Sequence, residues 1–525
     1  MPTPAAFAVN AQALAEQIGE YLAAHPHAML VEDGQAAFYF SPESGAHYSL
    51  VPERDRCVLQ VWSEERNIVR RVVGVQMKNG MLRLSVQRFG QAKPSIIELC
   101  ERPEGQSPSA KKAARAVYAG MLQRLLQKEF PGWTVDRITT AVDLEHSFGP
   151  AYARGLVHIG RRFFAVIGAA HTEPQPTVEG LATVAVLWLE RCRERVADKG
   201  HVEGVAVFAP KDCSGALLLR LAHLNQQAAK WRLFEVDAHS ESAQELDVVP
   251  PENLATRLVR CADEERTLDR FVASVRQMRE IAPRAEAVVV STAEVSFRMQ
   301  GLEFARATVA NGDGFRTGEQ IVFGAAPAEY KLNEETEPLL RQLVARLVET
   351  RTQRNRVHPF YRMASERWLE SIVRRDLSAL DDRLDPNCVY EQVPAFAASD
   401  RAMIDLLGVT RDGRLAVIEL KAEEDLHLPI QGLDYWARVR WHHRRGELQQ
   451  HGYFTGRELS RLDPVLILAA PSLHLHPATA TVLRYISPEI EWKLIGLDEH
   501  WRDGIRAIFR KRPQDYSRKV VAGIL

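Results

Sequence analysis

Two stretches of this 525-residue chain repeat one order of helices and apolar strands, and this duplication constrains the fold more than any other feature. The order and spacing correspond over roughly 130 residues, which is typical of an internal repeat. The corresponding segments are 110–128 and 362–380 for the first helix, then 165–170 and 416–421, 205–209 and 465–469, and 230–233 and 491–494 for three strands. Strands interleaved with helices predict an α/β sheet with helices packed against it. Chance similarity between two α/β units is the alternative.

The rest of the chain divides around this pair. We predict an N-terminal helix plus a β-rich module at 1–105, a degenerate α/β repeat at 106–245, a helical linker with a second β-rich module at 246–350, the second α/β repeat at 351–505, and a basic tail at 506–525. Short alternating runs between turn formers indicate the β-rich modules. The predicted fold class is therefore α/β, with two sheets flanked by helices and additional β-rich modules.

Composition narrows the functional classes. The 67 Lys and Arg residues balance 68 Asp and Glu residues, so any attraction to nucleic acid must come from a local basic face. No apolar stretch approaches the ~18–20 residues of a membrane span, and no Lys or Arg precedes Arg54, so we expect neither a span nor a secretory signal. The six cysteines are scattered, which favours buried thiols in a reducing cytoplasm over zinc or disulfides.

Only the second repeat carries charged residues in the middle of its strands. Asp405 lies in one apolar run, Glu419 and Lys421 lie in the next, and the short turn between them contains Gly. Folding this hairpin about Asp412 places Asp405 opposite Glu419 or within one residue of it, and Lys421 on the same face as Glu419. Facing carboxylates need a counter-charge, which a divalent metal and Lys421 can supply. A buried salt-bridge triad neutralised by Lys421 alone is the alternative.

The helices on either side of this hairpin add polar residues. Glu366 and Glu370 are one turn apart, and Glu370 continues the apolar stripe of its helix, where a carboxylate is costly without a partner. Pro429 begins a later helix, and one face of it carries Gln431, Tyr435 and Arg438. A solvated polar face is the alternative interpretation of that helix.

In this order, the residues Glu370, Asp405, Glu419-x-Lys421 and Gln431-x-x-x-Tyr435 resemble the motif of the PD-(D/E)XK nuclease superfamily. The closer similarity is to the branch with Glu-Leu-Lys on the second strand and a Gln-x-x-x-Tyr helix, as in RecB-type and NucS-type nucleases. The resemblance covers about residues 355–500, and Ile404 stands where the motif has Pro.

The resemblance implies a restriction-endonuclease-like fold in which Asp405 and Glu419 hold Mg²⁺ or Mn²⁺ and Glu370 binds the metal directly or through water. It also implies that Lys421 orients or activates the attacking water, and that Gln431 and Tyr435 contact the substrate or fix the lysine. Hard oxygen ligands favour Mg²⁺ or Mn²⁺ over zinc. Phosphodiester hydrolysis needs a metal-activated water and neutralisation of the charge that builds on the phosphate.

A nucleic-acid substrate also needs cations outside the reacting centre. Further basic clusters lie at 351–356 and 510–519, and the candidate nucleic-acid-binding residues after the second strand are Arg438, Arg440, Arg444 and Arg445. Such clusters bind phosphates without reading sequence; ordinary solvated faces are the alternative. We expect nucleic acid as the partner, DNA rather than RNA, and no membrane, and we leave a homo-oligomer open.

The first repeat lacks the charged set. It has Gly168 and Ala170 where the second has Glu419 and Lys421, with apolar Leu156-Val157 near the place of Asp405. We therefore expect a fused pair with a silent first copy and one active site in the second, which favours nicking or flap cleavage over a concerted double-strand cut. A non-catalytic nucleic-acid-binding or scaffold protein built from two nuclease-like units is the alternative.

Overall fold

A computed structural model describes residues 11–26, 28–32, 35–40, 46–53, 56–62, 67–78, 81–87, 95–101, 108–143, 145–251, 253–254, 256–311, 317–324, 329–352, 355–356, 358–397 and 403–515. The chain forms two compact units. Unit 1 consists of Met1–Lys111 with Ala262–Tyr361, and unit 2 consists of Lys112–Cys261 with Arg362–Leu525. Both β-rich regions thus fall in unit 1, and the sheets of both α/β regions fall in unit 2.

The N-terminal part of unit 1 is a helix on an antiparallel sheet. Its elements are α1 (Ala11–Ala24), β1 (Ala28–Glu32), β2 (Gln35–Tyr39), β3 (His47–Glu53), β4 (Arg56–Trp62), β5 (Asn67–Lys78), β6 (Met81–Gln87) and β7 (Ser95–Glu101). The strand order is β2-β1-β7-β6-β5-β4-β3. Apolar residues of α1, including Leu14, Ile18 and Leu22, are buried in one core with the inward residues of the strands. The predicted helix and β-rich module are both present.

The first α/β region contains a six-stranded sheet. Its elements are α2 (Pro108–Glu129), β8 (Thr134–Val135), β9 (Tyr152–Ile159), β10 (Arg162–Ala169), α3 (Gln175–Glu179), α4 (Leu181–Val196), β11 (His201–Pro210), α5 (Gly215–Ala222), β12 (Lys230–Asp237) and β13 (Ser242–Leu246). The order is β13-β12-β11-β10-β9-β8. The pairs β10–β11 and β11–β12 are parallel, and the others are antiparallel. The short strand β14 (Thr256–Leu258) follows.

The second β-rich region, in unit 1, is an antiparallel sheet with helices before and after it. Its elements are α6 (Glu264–Arg270), α7 (Val272–Ile281), β15 (Glu286–Ser291), β16 (Glu294–Met299), β17 (Leu302–Asn311), β18 (Thr317–Phe323), β19 (Tyr330–Lys331) and α8 (Glu337–Thr350). The five strands pair in chain order. This agrees with the β-rich segment and flanking helices expected from the sequence.

The second α/β region contains a seven-stranded sheet in the order β14-β20-β21-β22-β23-β24-β25. Its elements are α9 (Pro359–Arg362), α10 (Ser365–Arg375), β20 (Leu384–Ala397), β21 (Met403–Thr410), β22 (Leu415–Leu420), α11 (Leu428–Arg444), α12 (Glu447–Gln450), β23 (Val465–Pro471), α13 (Thr479–Arg484), β24 (Trp492–Leu497) and β25 (Ala507–Lys511). The strand β14 pairs with β20, so residues 256–258, which lie within the segment 246–350 predicted as a helical linker with a β-rich module, form an edge strand of this sheet. Residues 516–525 of the expected basic tail lie outside the described residues.

The two sheets of unit 2 have the same topology. From β20 to β25 the pairing runs antiparallel, antiparallel, parallel, parallel, antiparallel, as it does from β8 to β13. We call the β8–β13 sheet with its helices the first half, and the β20–β25 sheet with its helices the second half. One apolar core contains buried residues of both halves, and α4 packs on α13 as α5 packs on α11. Unit 2 is therefore an α/β unit with two mixed sheets, whose last six strands pair in the same pattern.

Within the described ranges, no helix combines the length and apolar character that crossing a membrane requires.

Candidate active site

The hairpin of β21 and β22 brings two carboxylates face to face. Leu406 pairs with Ile418 in the antiparallel ladder, so the next pair outward is Asp405 and Glu419. Asp405 Oδ2 accepts a hydrogen bond from the backbone N–H of Leu420 at 2.9 Å, which fixes its direction. The turn that sets this register contains Gly413 at φ 84°, a conformation that glycine adopts without steric cost. The expected hairpin and the Asp405–Glu419 pairing are thus both present.

The amine of Lys421 lies beside this pair. Its Nζ is 3.2 Å from Glu419 Oε1, 3.7 Å from Glu366 Oε1 and 4.0 Å from an oxygen of Asp425. The backbone N–H of Lys421 donates to Ala469 O at 3.0 Å, which holds the residue at the end of the parallel pair. The side chain of Lys421 is mostly buried, whereas that of Glu366 is half-exposed. Lys421 is therefore the cation at the centre of a group of carboxylates.

The carboxylates of Asp405 and Glu419 are electrostatically unfavourable as two full negative charges. Burial raises the pKa of Asp405, and the N–H of Leu420 and the charge of Lys421 offset only part of this. Burial first, and then the charge of Asp405, raise the pKa of Glu419 well above its ordinary value. Glu419 Oε2 is buried and has no hydrogen-bond partner among the described residues. The two carboxylates therefore need more positive charge nearby than Lys421 alone provides.

Lys421 itself remains protonated. Burial acts to lower its pKa, but the nearby carboxylates of Glu419, Glu366 and Asp405 outweigh burial and raise it. A lysine with a raised pKa is an ammonium ion at neutral pH, so it can stabilise negative charge and orient a water, but it cannot accept a proton.

Glu370 reaches the site through a residue that sequence reasoning missed. Glu370 is 3% exposed, and its Oε2 accepts hydrogen bonds from Gln392 Nε2 at 2.8 Å and from Arg367 Nη1 at 3.2 Å. The same Gln392 Nε2 lies 3.4 Å from Asp405 Oδ1. Gln392 has φ 50° in the middle of β20, an uncommon backbone conformation that places its amide between the two carboxylates. A Gln in a strand gives no signal in the sequence that would have identified it.

The helix α11 covers the carboxylates with Gln431 and Tyr435. Gln431 Nε2 donates to Tyr435 Oη at 3.2 Å. Burial, and then the charge of Glu419, raise the pKa of Tyr435 to about 12, so its hydroxyl stays a donor at neutral pH. Gly432 permits this close packing, because a Cβ there would lie 2.5 Å from Leu468 Cδ2. The helix face expected from the spacing therefore points toward the site.

A cavity of about 1060 Å³ opens at this point, and both halves of unit 2 contribute to its wall. The second half contributes Asp405, Glu419, Lys421, Gln431, Tyr435 and Arg438, together with Glu366 and Gln392. The first half contributes residues of α3, α4 and α5, including Glu179, Thr183 and Arg220. A substrate in this cavity would contact both halves.

The four arginines proposed for nucleic-acid binding have different surroundings. Arg438 is 4% exposed and lies in the cavity wall, where it pairs with Asp434 at 3.3 Å. Arg440 and Arg444 both pair with Asp463 at 2.9 Å, and the guanidinium of Arg445 lies 3.4 Å from the centre of the Trp441 ring. Of the other basic clusters, Arg351 is buried in unit 1 and donates to Gln300 O at 2.7 Å, while Arg354, Arg518 and Lys519 lie outside the described residues.

The first half has small residues at the corresponding positions. In its ladder Gly168 pairs with Ala153, so Ala153 occupies the place of Asp405. Our expectation of Leu156-Val157 there is wrong, because Leu156 pairs with Ala165, three residues away along the strand. Tyr118 of α2 fills the space above Gly168, since a Cβ on Gly168 would lie 2.4 Å from Tyr118 Oη. At these two positions the first half therefore has no carboxylate, and Tyr118 leaves no room for one at Gly168.

Within the part of the chain that the structure describes, no group of three or more His, Cys, Asp or Glu side chains forms a metal-binding set. No family model and no curated protein matches the chain. Among solved structures, three chains match. One belongs to the structure of an EndoMS–dsDNA2 complex, which is 13% identical, covers 43% of this chain and 95% of that chain, and superposes with a TM-score of 0.18. It is a weak structural neighbour and assigns no family.

Proposed function

We propose that this protein is a metal-dependent nuclease that hydrolyses phosphodiester bonds of nucleic acid, DNA rather than RNA, at one active site in the second half of unit 2. The observation that carries the proposal is the pairing of Asp405 with Glu419 beside the ammonium group of Lys421 in an open cavity. A buried and a partly buried carboxylate with raised pKa values at a cavity wall are typical of functional sites.

The donor set fits Mg²⁺ or Mn²⁺. Both groups offer oxygen, and Glu419 Oε2 is a buried acceptor without a partner among the described residues. Mg²⁺ is commonly held by one or two carboxylates, with waters and substrate phosphates completing its shell, so a pair of carboxylates is sufficient. Glu370 is held by Arg367 and Gln392, a position that suits contact with the metal through water. When bound, the cation would lower the pKa of a water and polarise the phosphate.

The protein side chains supply the remaining chemistry. Lys421 carries a positive charge where negative charge builds on the phosphate, and it can orient the attacking water. Tyr435 keeps its proton, so it donates a hydrogen bond rather than acting as a base. Because the first half has Ala153 and Gly168 in place of the carboxylates, one site cuts one strand in each encounter. Nicking or flap cleavage is therefore the expected activity.

Labelled single-stranded, duplex and flapped DNA, incubated with Mg²⁺, Mn²⁺ or EDTA, tests the proposal. We expect metal-dependent cleavage that is lost in Asp405→Ala and Lys421→Ala. Asp412→Ala is the matched control, because Asp412 is an exposed carboxylate in the turn of the same hairpin. Binding without cleavage in every metal would instead support a non-catalytic scaffold, and blunt or staggered double-strand breaks by a monomer would overturn the single-site proposal.

A further inference from the structure

A second polar cluster in the cavity wall joins the two halves. Asp434 of α11 lies between Arg438, four residues along the same helix, and Arg220 of α5 in the first half. Arg438 Nη2 is 3.3 Å from both oxygens of Asp434, and Arg220 Nη2 is 3.2 Å from Oδ2. All three residues line the cavity that contains Asp405 and Glu419.

The two guanidinium groups have more donors than acceptors around them. Each guanidinium carries five N–H donors and no acceptor. Arg220 also donates to Glu179 O at 2.6 Å and lies 3.7 Å from a carboxylate oxygen of Glu179. Arg438 Nε, Arg438 Nη1 and Arg220 Nε are nevertheless buried without a partner among the described residues. Arg438 is 4% exposed, so these donors lie within the wall of the cavity and not on the outer surface.

From this we infer that Arg438 and Arg220 form an anion-binding subsite that takes a phosphate group of the substrate strand, an inference that rests on the proposed nuclease function. Guanidinium groups match the oxygens of a phosphate in charge and geometry. An arriving phosphate would accept the hydrogen bonds that the buried donors lack.

The position of the subsite indicates which phosphate it takes. Arg438 follows Gln431 by seven residues, or about 10 Å along the axis of α11. Glu419 packs against Gly432, where a Cβ would lie 3.7 Å from Glu419 Cβ, and Gly432 is next to Gln431, so a phosphate at Arg438 is not the one that is cut. The substrate is therefore a strand of several nucleotides that spans both places, and Arg220 makes the silent first half part of its binding site.

Oligonucleotide binding by the full chain in EDTA, measured by fluorescence anisotropy over a range of salt concentrations, tests this inference without requiring cleavage. For a 12-nucleotide strand, we expect Arg438→Gln and Arg220→Gln each to weaken binding about tenfold and to reduce the slope of log affinity against log salt by about one. For a dinucleotide, which is too short to span both places, the variants and the wild type should differ little.

Arg484→Gln is the matched control, because Arg484 also joins the halves, pairing with Glu190 at 3.1 Å, but it does not line the cavity. Thermal melting identifies any variant that fails to fold. If Arg438→Gln fails to fold, Arg438→Lys replaces it, because lysine keeps the positive charge but lacks the paired N–H donors of the guanidinium group. The subsite would be overturned if Arg438→Gln and Arg220→Gln left the salt dependence of binding unchanged, or if Arg484→Gln weakened strand binding equally. Wild-type protein that binds no strand at all would count against the nuclease proposal as well.

Discussion

Leu224 and Ile486 form an antiparallel backbone bridge between the two halves of unit 2. On one side of the bridge the N–H of Asn225 donates to the carbonyl of Tyr485 at 2.7 Å. On the other side the N–H of Ser487 donates to the carbonyl of His223 at 3.0 Å. Leu224 follows the short helix α5 of the first half, and Ile486 follows the short helix α13 of the second half. The contact is therefore reciprocal, as it is across a two-fold axis.

The helices around this bridge also contact each other reciprocally. The helix α5 packs on α11 and α13 packs on α4, and each helix pair carries one ion pair, Arg220 with Asp434 and Arg484 with Glu190. A symmetric dimer makes such an interface with two chains, whereas this chain makes it with two parts of one polypeptide. Both parts contribute to this interface and to the cavity wall, although the first has Ala153 and Gly168 where the second has Asp405 and Glu419.

Tyr118 and Phe208 pack closely against Gly168 in the first half, and we predict that enlarging Gly168 destabilises the fold. In Gly168→Ala the new Cβ would lie 2.4 Å from Tyr118 Oη and 3.0 Å from Phe208. Overpacking of this kind costs about 1–3 kcal/mol, so the free energy of unfolding from urea denaturation should fall by that amount. Gly149→Ala is the control, because nothing lies within 4 Å of a Cβ there. Equal stability of the two variants would contradict the close packing of Tyr118 and Phe208 against Gly168.

The buried pair of Asp381 and Lys493 stabilises the sheet of the second half, and its contribution depends on pH. Burial opposes ionisation, but hydrogen bonds from Arg383 and Lys493 hold the pKa of Asp381 at about 2, below its ordinary value of 3.8. A depressed carboxyl pKa stabilises the fold above pH 3.8, and this contribution is lost as the pH falls toward 2. Removing one partner of a buried pair costs about 3–5 kcal/mol.

We therefore expect Asp381→Asn to lower the free energy of unfolding by about that amount at pH 7, with a difference from the wild type that shrinks toward pH 2. Urea denaturation at several pH values measures it. Asp382→Asn, at the exposed neighbouring residue, should show neither effect. A pH-independent difference for Asp381→Asn would show that the loss comes from packing and not from charge.

The sequence predicted the hairpin of the site better than its surroundings. Alternation with a period of two and a Gly-containing turn determine that Asp405 faces Glu419, because both are local properties of adjacent strands. Gln392 could not be found in this way, since its role depends on pairing between β20 and β21 and on a positive φ that no neighbouring residue signals. The prediction of Leu156-Val157 near the place that Ala153 occupies was wrong for a related reason, because spacing alone did not fix the strand register and the prediction missed it by three residues.

Glu419 should make the stability of the metal-free protein pH-dependent in the opposite sense. Because burial and Asp405 raise its pKa above the unfolded value of about 4.5, the folded state binds this proton more tightly. Its stabilising contribution is complete below pH 4.5 and is lost as the pH rises toward the folded pKa. In EDTA, Glu419→Gln should therefore be more stable than the wild type at pH 8, and the difference should vanish near pH 4.

Thermal melting with and without Mg²⁺ extends the same comparison. A cation that binds only the folded state stabilises it, so Mg²⁺ should raise the Tm of the wild type at pH 8 and leave Glu419→Gln nearly unchanged. Glu423→Gln serves as the control, because Glu423 is an exposed carboxylate of the same cavity. An equal response to Mg²⁺ in all three proteins would place the cation elsewhere.

Gln392 is expected to position the carboxylates without reacting itself. Its amide donates to Glu370 at 2.8 Å and lies 3.4 Å from Asp405, so Gln392→Ala would hold Asp405 by the Leu420 N–H alone and leave Glu370 without one of its donors. Losing a group that orients metal ligands typically costs 10–100-fold in metal affinity or activity. We expect the Mn²⁺ concentration needed for half-maximal cleavage to rise by about that factor, with partial rescue at saturating Mn²⁺. Asn387→Ala, an exposed amide on the same strand, is the control, and a fall in rate that saturating Mn²⁺ leaves unchanged would contradict the positioning role.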